Sequence, residues 1–338
     1  MRVAVTGGTG FTGGHTLKKL IEAGHEPIAL VRSAEKLGRV AELHQIPEIN
    51  HVIGDVSDID AISSLLKGCD AAMHIAAVTG TQIRKIPSLK ATNIEGTRIV
   101  LEEAARREMD PIVYVSSQSA LHPPPEDYYV ANGPLSEDPV GVYAKSKVEG
   151  ERYARNLQDK GYPVVIVWPS GIVGPNDVGI SVAASGIARL LSVPILPLPK
   201  TGGVLMHDVR DLAEVLARCI EKGRGPRHYG VFGHFYDWDE TRTLLRDVTE
   251  KKIRSLQFPD NLFHGLGHIG DLFDLLHLPF PLDYSTAQFM TGLRPGDDLH
   301  TRQEFNIEWR PLEESFFDTL QWLVEQGHLR ARKVPSLR

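Results

Sequence analysis

Two side chains able to handle a proton lie one helical turn apart near the middle of the chain. Tyr143 and Lys147 are four residues apart in the segment YAKSK. On a helix this spacing puts the phenol and the ammonium on the same face. A phenol beside a cation can donate and accept a proton, as the interconversion of a carbonyl and an alcohol requires.

A glycine-rich turn, TGGTGFTG, lies about 130 residues before this pair. The apolar run 3–5 predicts a buried strand, and the helical pattern after the turn ends at Gly24. Between strand and helix, Gly7 suits a tight turn, Gly10 lets the backbone approach phosphates, and Gly13 lets the helix pack closely on the strand. Because helix N–H groups attract anions, this segment predicts a site for the pyrophosphate of a dinucleotide.

The second predicted strand, residues 27–32, ends at a cation. In dinucleotide-binding folds, an acid at this position binds the ribose 2′-hydroxyl, whereas an arginine suits a 2′-phosphate. This chain has Arg32 there, followed by Lys36 and Arg39. The pattern favours NADP(H) over NAD(H). The alternative is that Arg32 is a solvated surface cation.

Composition is typical of a cytoplasmic enzyme. The chain has 338 residues, 42% of them hydrophobic, and a formal net charge of −6, which disfavours nucleic acid as a partner. Cys69 and Cys219 lack CxxC spacing and fit reduced, buried thiols. Because the first strand is predicted to begin near residue 2, we expect no signal peptide. Prolines interrupt the longest apolar stretch, so no membrane span is predicted.

Strands and helices alternate along the first half of the chain. This alternation predicts an α/β fold, a Rossmann-type doubly wound parallel sheet with a smaller C-terminal substrate-binding region. We assign residues 1–175 to the dinucleotide-binding domain and residues 176–330 mainly to substrate binding, with part of them returning to the sheet. Residues 331–338 are predicted to form a frayed tail.

The motifs TGGTGFTG, GDVSD, HIAA, NIEGT, VYVSSQS, YAKSK and WPSGIVGP follow one another in a familiar order. In order and spacing they resemble the extended short-chain dehydrogenase/reductase superfamily. The chain is most similar to its dihydroflavonol reductase-like and 3β-hydroxysteroid dehydrogenase-like branch. The resemblance covers nearly the whole chain, although the C-terminal third matches loosely.

The resemblance implies a role for each matching residue. Tyr143 would be the general acid/base, with its pKa lowered from about 10 by Lys147, which would also hold the nicotinamide ribose. Ser117 would bind the substrate oxygen, whereas Ser116 is interpreted as structural and His74 as a packed core histidine. The remaining cofactor-binding residues would be Thr6, Gly7, Gly10, Phe11, Thr12, Gly13, Arg32, Lys36, Asp55, Val56, Ala76, Ala77, Pro169 and Ser170.

Two departures from relatives in the superfamily narrow the reaction. Sugar-nucleotide dehydratases carry an acid pair after the catalytic hydroxyl, where this chain has Gln118 and Ser119. Sugar-nucleotide epimerases carry an acid where this chain has Arg32. We therefore expect an NADP(H)-dependent reductase or alcohol dehydrogenase acting on an apolar aldehyde, ketone or sterol-like compound. The alternatives are an epimerase or dehydratase that retains NAD, and a non-catalytic nucleotide-sensing protein. Trp168 stands where an arginine is often found in the superfamily.

The C-terminal third contains an apolar segment, residues 257–285, that includes Phe263, Leu266, Leu272 and Phe273. We expect either a lid over the nicotinamide or a contact in the core or between subunits of a homodimer. Membrane association is disfavoured because the segment lacks a face rich in Lys and Arg. His264, His268 and His277 do not complete a HExxH pattern, so no metal site is predicted.

Overall fold

The structure, a computed structural model, describes residues 1–80, 86–276 and 282–337. Its strands are β1 (Arg2–Thr6), β2 (Glu26–Val31), β3 (His51–Ile53), β4 (Ala71–His74), β5 (Ile112–Val115), β6 (Tyr129–Val130), β7 (Val164–Pro169), β8 (Gly171–Val173), β9 (Leu196–Pro199), β10 (Gly203–Asp208), β11 (Arg227–Val231), β12 (His234–Asp237), β13 (Ser255–Phe258) and β14 (Gly296–Asp297). Its α-helices are α1 (Phe11–Glu22), α2 (Ala34–His44), α3 (Ile59–Leu66), α4 (Ile86–Leu89), α5 (Thr97–Arg106), α6 (Gly141–Asp159), α7 (Val182–Leu190), α8 (Val209–Arg218), α9 (Trp238–Thr249), α10 (Asp260–Leu275), α11 (Tyr284–Gly292), α12 (Leu299–Phe305) and α13 (Leu312–Glu325).

Seven parallel strands form the central sheet, in the order β11-β7-β5-β4-β1-β2-β3. Strands β1, β4, β5 and β7 are short apolar runs that are buried on both faces, as expected when helices cover both sides of a parallel sheet. The chain order reverses between β1 and β4, where Thr6 is in register with His74. Such a reversal opens a crevice at the carboxyl ends of the strands. The predicted fold class, a Rossmann-type doubly wound sheet, is confirmed.

Residues beyond β7 build a second layer of structure. Strand β11 returns to the edge of the central sheet beside β7, while β8, β10 and β12 form a separate three-stranded sheet. Leucines and a phenylalanine of α9 and α13 make a separate apolar core with α7. None of the helices in the described ranges has the length and apolar character needed to cross a membrane.

The predicted frayed tail is wrong for residues 331–337. Two short 3₁₀ turns, Ala331–Lys333 and Pro335–Leu337, follow α13. Val334 is fully buried in the same core as α9 and α13, and the Ser336 hydroxyl donates to the Val248 carbonyl at 2.6 Å. This burial offsets the entropy that would otherwise fray a chain end.

Two strand ends differ from the sequence-based expectation. Strand β2 ends at Val31, which leaves Arg32 just beyond the strand. The segment INHVIGDVSD predicts a strand that ends at Asp55, whereas β3 ends at Ile53. Gly54 follows β3, its N–H still bonds the Val31 carbonyl, and a Cβ there would overlap Ala61 of α3. Asp55 therefore lies in a loop next to Arg32.

Candidate active site

The glycine turn between β1 and α1 has the shape that a bound phosphate needs. Gly7 has φ +79°, and a Cβ there would lie 2.6 Å from the Ala76 backbone nitrogen. A Cβ at Gly13 would overlap the Gly7 carbonyl oxygen, so the expected close helix–strand packing is present. Gly10 begins α1 without a side-chain cap, which leaves the first N–H groups of the helix available to an anion. These residues fit a dinucleotide pyrophosphate.

Thr6, the last residue of β1, supports the glycine turn that follows it. Its hydroxyl bonds His74 Nδ1 at 2.7 Å and accepts from the Ala76 N–H at 3.3 Å, so it ties the ends of β1 and β4 together. The other nitrogen of His74 bonds the Thr97 hydroxyl at 3.0 Å, and burial lowers the pKa of His74 to about 3. The interpretation of His74 as a packed core histidine is confirmed.

Phe11 and Thr12 form the first turn of α1, directly after the glycines. The Phe11 ring lies edge-on to His15, with 5.9 Å between ring centroids. The Thr12 carbonyl accepts a hydrogen bond from the Thr16 hydroxyl at 2.8 Å. Both residues therefore lie at the anion-facing end of the helix.

Cations and one carboxylate meet where β2 and β3 end. The Arg32 side chain is 82% exposed, and its Nη1 lies 4.0 Å from Asp55 Oδ2. Lys36 is exposed in the first turn of α2, which the Ser33 side chain caps by accepting from the Lys36 N–H at 3.2 Å. Val56, in contrast, is buried in the core. The site can therefore present Arg32, Lys36 and Asp55 to the outer end of a dinucleotide.

The remaining predicted cofactor residues follow β4 and β7. Ala76 and Ala77 are half-buried just beyond β4, with Ala76 against Gly7. Pro169 ends β7, and the hydroxyl of the next residue, Ser170, donates to the Phe232 carbonyl at 2.7 Å. The same hydroxyl lies 3.0 Å from His207 Nδ1. Ser170 is thus held in place by β10 and the end of β11.

The structure brings Tyr143 and Ser117 together. Tyr143 lies in the first turn of α6, and its phenol is close enough to Ser117, which follows β5 by two residues, for the serine to affect its pKa. The Ser117 hydroxyl also accepts from the Ser119 N–H at 3.2 Å and the Ser119 hydroxyl at 2.8 Å. These contacts fix the hydroxyl next to the phenol, as a pair that binds one substrate oxygen requires.

The expected lowering of the Tyr143 pKa is wrong for this structure. Burial raises the pKa of Tyr143 to about 12, although the neighbouring Ser117 side chain opposes the shift. The ammonium of Lys147 is buried and donates to the Val115 carbonyl at 2.9 Å, 5.5 Å from the Tyr114 ring centroid. Because burial disfavours its charge, the pKa of Lys147 is lowered to about 8, and Glu151 limits the shift.

A buried polar network, which the sequence-based reasoning missed, lies behind the catalytic candidates. Glu151 is fully buried, and its Oε2 accepts from the Ser116 hydroxyl at 2.5 Å and from the Trp168 indole N–H at 2.8 Å. Its Oε1 accepts from Arg155 at 2.6 and 2.9 Å. The signal was available, since Glu151 follows Lys147 by four residues just as Lys147 follows Tyr143. The network also gives Trp168 a structural role, because its indole N–H donates one of the hydrogen bonds to Glu151.

Helix α11 lies beside the catalytic candidates. A Cβ at Gly141, the first residue of α6, would lie 3.1 Å from the Ser285 hydroxyl of α11. On the other side, the Phe289 ring lies 4.9 Å from that of His122, shortly after Ser117. Helix α11 therefore spans between the segments that carry Tyr143 and Ser117.

The histidines of α10 have other partners. His264 Nε2 bonds the Thr291 hydroxyl at 2.8 Å, and the His268 ring stacks on Tyr284 at 4.0 Å. His277 lies outside the described residues. Within the described ranges, no group of three or more His, Cys, Asp or Glu residues is placed to hold a metal ion.

Fold and site together define a nucleotide-binding enzyme of the extended short-chain dehydrogenase/reductase type. The chain belongs to the NAD dependent epimerase/dehydratase family, whose model matches residues 3–232. This assignment agrees with the sequence-based expectation, and the family contains oxidoreductases and epimerases.

Individual relatives cover most of the chain. A putative dihydroflavonol 4-reductase from Synechocystis is 31% identical over 237 residues, 68% of this chain and 67% of that protein. Sterol demethylase protein B from Methylococcus capsulatus is 24% identical over 337 residues, 97% of this chain and 99% of that protein.

Solved structures share the whole architecture. The crystal structure of gox2253 has a TM-score of 0.81 and 25% identity, covering 98% of this chain and 99% of its own. A UDP-glucose-4-epimerase from Stenotrophomonas maltophila, solved with bound NAD, has a TM-score of 0.76 at 15% identity, covering 97% of this chain and 99% of its own. The second likeness shows the fold alone.

Proposed function

We propose that the protein is an NADP(H)-dependent oxidoreductase that interconverts a carbonyl and an alcohol. The observation that carries this proposal is the placement of the Tyr143 phenol beside Ser117, with Gln118 and Ser119 directly after that serine. A dehydration would need an acid and a base at that point, whereas proton transfer to one substrate oxygen needs the phenol and the hydroxyl that are present.

The chain's own residues handle the oxygen of the substrate. Tyr143, whose pKa lies well above neutrality, is protonated and gives its proton to the carbonyl oxygen in the reducing direction. Ser117 donates a hydrogen bond to the alkoxide as it develops. Lys147 carries its charge below about pH 8, one helical turn from Tyr143, and stabilises the phenolate left after transfer. Bound NADP(H) would supply the hydride.

The preference for NADP(H) rests on the outer end of the cofactor site. Arg32 and Lys36 are exposed cations near the N-terminus of α2, where backbone N–H groups favour an anion. A guanidinium with this freedom can turn toward a 2′-phosphate and bind it through two N–H groups. Asp55 is the competing feature, because a carboxylate there suits a ribose hydroxyl.

An apolar substrate fits the side of the site opposite the sheet. Helix α11 places Phe289 beside His122, and α10 packs on α11 with Phe263 buried. We assign residues 1–175 to cofactor binding and 176–330 mainly to the substrate, apart from β11. The similarity to a dihydroflavonol 4-reductase and to sterol demethylase protein B supports a ring-containing or sterol-like carbonyl compound.

Two free thiols, Cys69 and Cys219, support a cytoplasmic enzyme.

The test is a cofactor and substrate screen with purified protein. Oxidation of NADPH and NADH is followed with a panel of aliphatic and aromatic aldehydes, ketones and 3-oxo-sterols, and reduction of NADP⁺ with the matching alcohols. We expect turnover with NADPH and at least one apolar ketone. Tight NAD that persists through dilution and dialysis, without NADPH oxidation by any carbonyl compound, would favour an epimerase or dehydratase instead.

A further inference from the structure

The carboxylate of Glu151 joins three elements that carry the catalytic and cofactor-binding candidates. It lies on α6, which also carries Tyr143 and Lys147. Its carboxylate accepts a hydrogen bond from Ser116, the residue before Ser117. It accepts another from Trp168, the residue before Pro169. One buried side chain thus links α6 to the carboxyl ends of β5 and β7.

We propose that Glu151 is the positioning residue of this active site, holding Ser117 and Lys147 in register by fixing the ends of β5 and β7 against α6. The proposal rests on the function proposed above for the Ser117, Tyr143 and Lys147 set. Glu151 itself has no contact with the reacting atoms.

The register argument comes from adjacent contacts. Two neighbouring residues at the end of β5 are bound by two residues one turn apart on α6. Lys147 donates to the Val115 carbonyl at 2.9 Å, and Ser116 donates to Glu151 at 2.5 Å. The Ser116 N–H also donates to the Val167 carbonyl at 2.8 Å, next to Trp168. A shift of α6 along β5 would break both side-chain contacts together.

The ionic state of Glu151 follows from its partners. Glu151 is the acceptor in all four of its hydrogen bonds, two of which come from the Arg155 guanidinium. These bonds therefore favour its carboxylate form. Burial works in the other direction and raises the pKa of Glu151. Arg155 is itself fixed, because it lies over the Trp168 ring, 5.7 Å from the centroid, and donates to the Gly133 carbonyl at 2.7 Å.

This anion also acts on Lys147. The titratable groups around the ammonium are Tyr114 of β5, His74 of β4 and Glu151, and Tyr143 lies one helical turn before Lys147 on α6. Near neutrality both phenols are protonated, because burial raises their pKa values, and His74 is neutral, because burial lowers its pKa to about 3. Glu151 is the acid of this set, and its carboxylate form, which the Arg155 guanidinium and the other donors stabilise, favours the charged form of Lys147.

The decisive experiment measures Lys147 directly, in cofactor-free protein. The titration of the Lys147 ammonium is followed by NMR in protein with ¹³C-labelled lysine, and its signal is assigned with Lys147→Met. We expect a midpoint near the Lys147 pKa of about 8 in the wild type and a lower midpoint in Glu151→Gln. The matched control is Glu149→Gln on the same helix, an exposed carboxylate paired with Arg152, which should leave the midpoint unchanged. An unchanged midpoint in folded Glu151→Gln would overturn the proposal.

Two further variants keep the charge of Glu151 and remove one link each. Ser116→Ala and Trp168→Phe should lower kcat for reduction of a ketone by roughly tenfold to a hundredfold, because small displacements of positioned groups cost that much. Their affinity for NADPH, measured by fluorescence, should stay within about twofold, since neither residue belongs to the proposed phosphate or ribose sites. Wild-type kcat in both variants would refute the positioning role. This test remains decisive if Glu151→Gln does not fold.

The outcomes separate this proposal from the proposed function. If the wild type oxidises NADPH with none of the carbonyl compounds, the reductase assignment fails. The NMR titration of Lys147 still decides whether Glu151 controls that side chain, because it requires neither substrate nor cofactor.

Discussion

Arg32 Nη1 lies 4.0 Å from Asp55 Oδ2 at the edge of the sheet, in a contact that leaves the guanidinium mostly in solvent. The two residues suit opposite cofactors, because the cation favours a 2′-phosphate and the carboxylate favours a 2′-hydroxyl. Asp55 also has local partners, since its Oδ1 accepts from the Ser57 N–H and hydroxyl. Arg32 is the freer of the two, and this asymmetry is the basis of the first prediction.

Arg32→Ala is expected to remove most of the preference for NADPH over NADH. A hydrogen bond to a charged group contributes roughly 1.5–3 kcal/mol, so the ratio of the two affinities should fall by about ten- to a hundredfold. Dissociation constants for both cofactors are measured by fluorescence titration. Arg246→Ala, which removes an exposed arginine of α9, serves as the control and should keep the ratio. Equal wild-type affinities for NADPH and NADH would mean that Arg32 is a surface cation.

Tyr143→Phe is expected to abolish nearly all turnover while NADPH still binds. General acid–base catalysis contributes on the order of 10²–10⁴-fold to a rate, and the variant removes one hydroxyl from a site whose packing it preserves. Steady-state rates with the best ketone of the panel measure the loss. Tyr153→Phe changes a more exposed phenol on the same helix and should leave kcat unaltered. A Tyr143→Phe rate within twofold of the wild type would exclude Tyr143 as the proton donor.

The protein is expected to lose stability in mild acid through His15, which joins α1 to the loop after β8. His15 Nε2 bonds the Pro175 carbonyl at 2.9 Å, and its ring lies edge-on to His44 at 4.5 Å. Burial lowers the pKa of each histidine to about 4. In the unfolded chain the value is 6.5, so between pH 6.5 and 4 the unfolded state binds more protons. The contribution is therefore complete above pH 6.5 and is lost as the pH falls toward 4.

The measurement is denaturant unfolding at pH 7.5 and pH 5.0. For His15 the difference in unfolding free energy should be roughly 2 kcal/mol, from about 1.4 kcal/mol per pKa unit. His15→Gln keeps an N–H for the Pro175 carbonyl but has no proton to gain, so its pH dependence should be smaller by that amount. His300→Gln, on an exposed part of α12, should retain the wild-type dependence. The same dependence in His15→Gln would rule out this origin.

Local sequence patterns were sufficient for the central sheet and its glycine turn. The apolar run before Gly7 and the spacing of Gly10 and Gly13 depend on neighbours close in the chain. Tyr143 and Lys147 were found for the same reason, since four residues on a helix define a face. The parallel doubly wound sheet was predicted from the alternation of strands and helices, because such units have few topologies.

The electrostatics of the site depended on contacts that spacing does not reveal. The pKa of Tyr143 moves up because the folded chain buries its phenol, and the Lys147 ammonium bonds the Val115 carbonyl, 32 residues earlier. The role proposed for Glu151 depends on its hydrogen bonds with Ser116 and Trp168, which lie at the ends of two different strands. The tail was mispredicted for a similar reason, since Val334 is buried in a core that α13 shares with α7 and α9, and α7 and α9 lie much earlier in the chain.

Helix α10 is expected to be anchored at one end and responsive to ligand at the other. Its first half is fixed, because Asp260 accepts from the Thr201 hydroxyl at 2.6 Å and Phe263 is buried. Gly267 packs so closely on Tyr284 that a Cβ would lie 2.7 Å from its Cα. Toward the other end, Leu272 is 54% exposed and Leu275 is 70% exposed. Of the residues first considered for a lid, Phe263 therefore belongs to the anchor and Leu272 to the exposed face.

Hydrogen exchange of α10 tests this division. In the free protein, amides near 263–267 should be protected and amides near 272–276 should exchange faster, because few buried contacts hold them. Adding NADPH with a ketone that is turned over should slow exchange at 272–276, since a closing lid excludes water and strengthens the contacts of Tyr143 and Ser117. The anchored amides serve as the internal reference. Strong protection of 272–276 before ligand is added, unchanged afterwards, would favour a core or subunit contact for this helix.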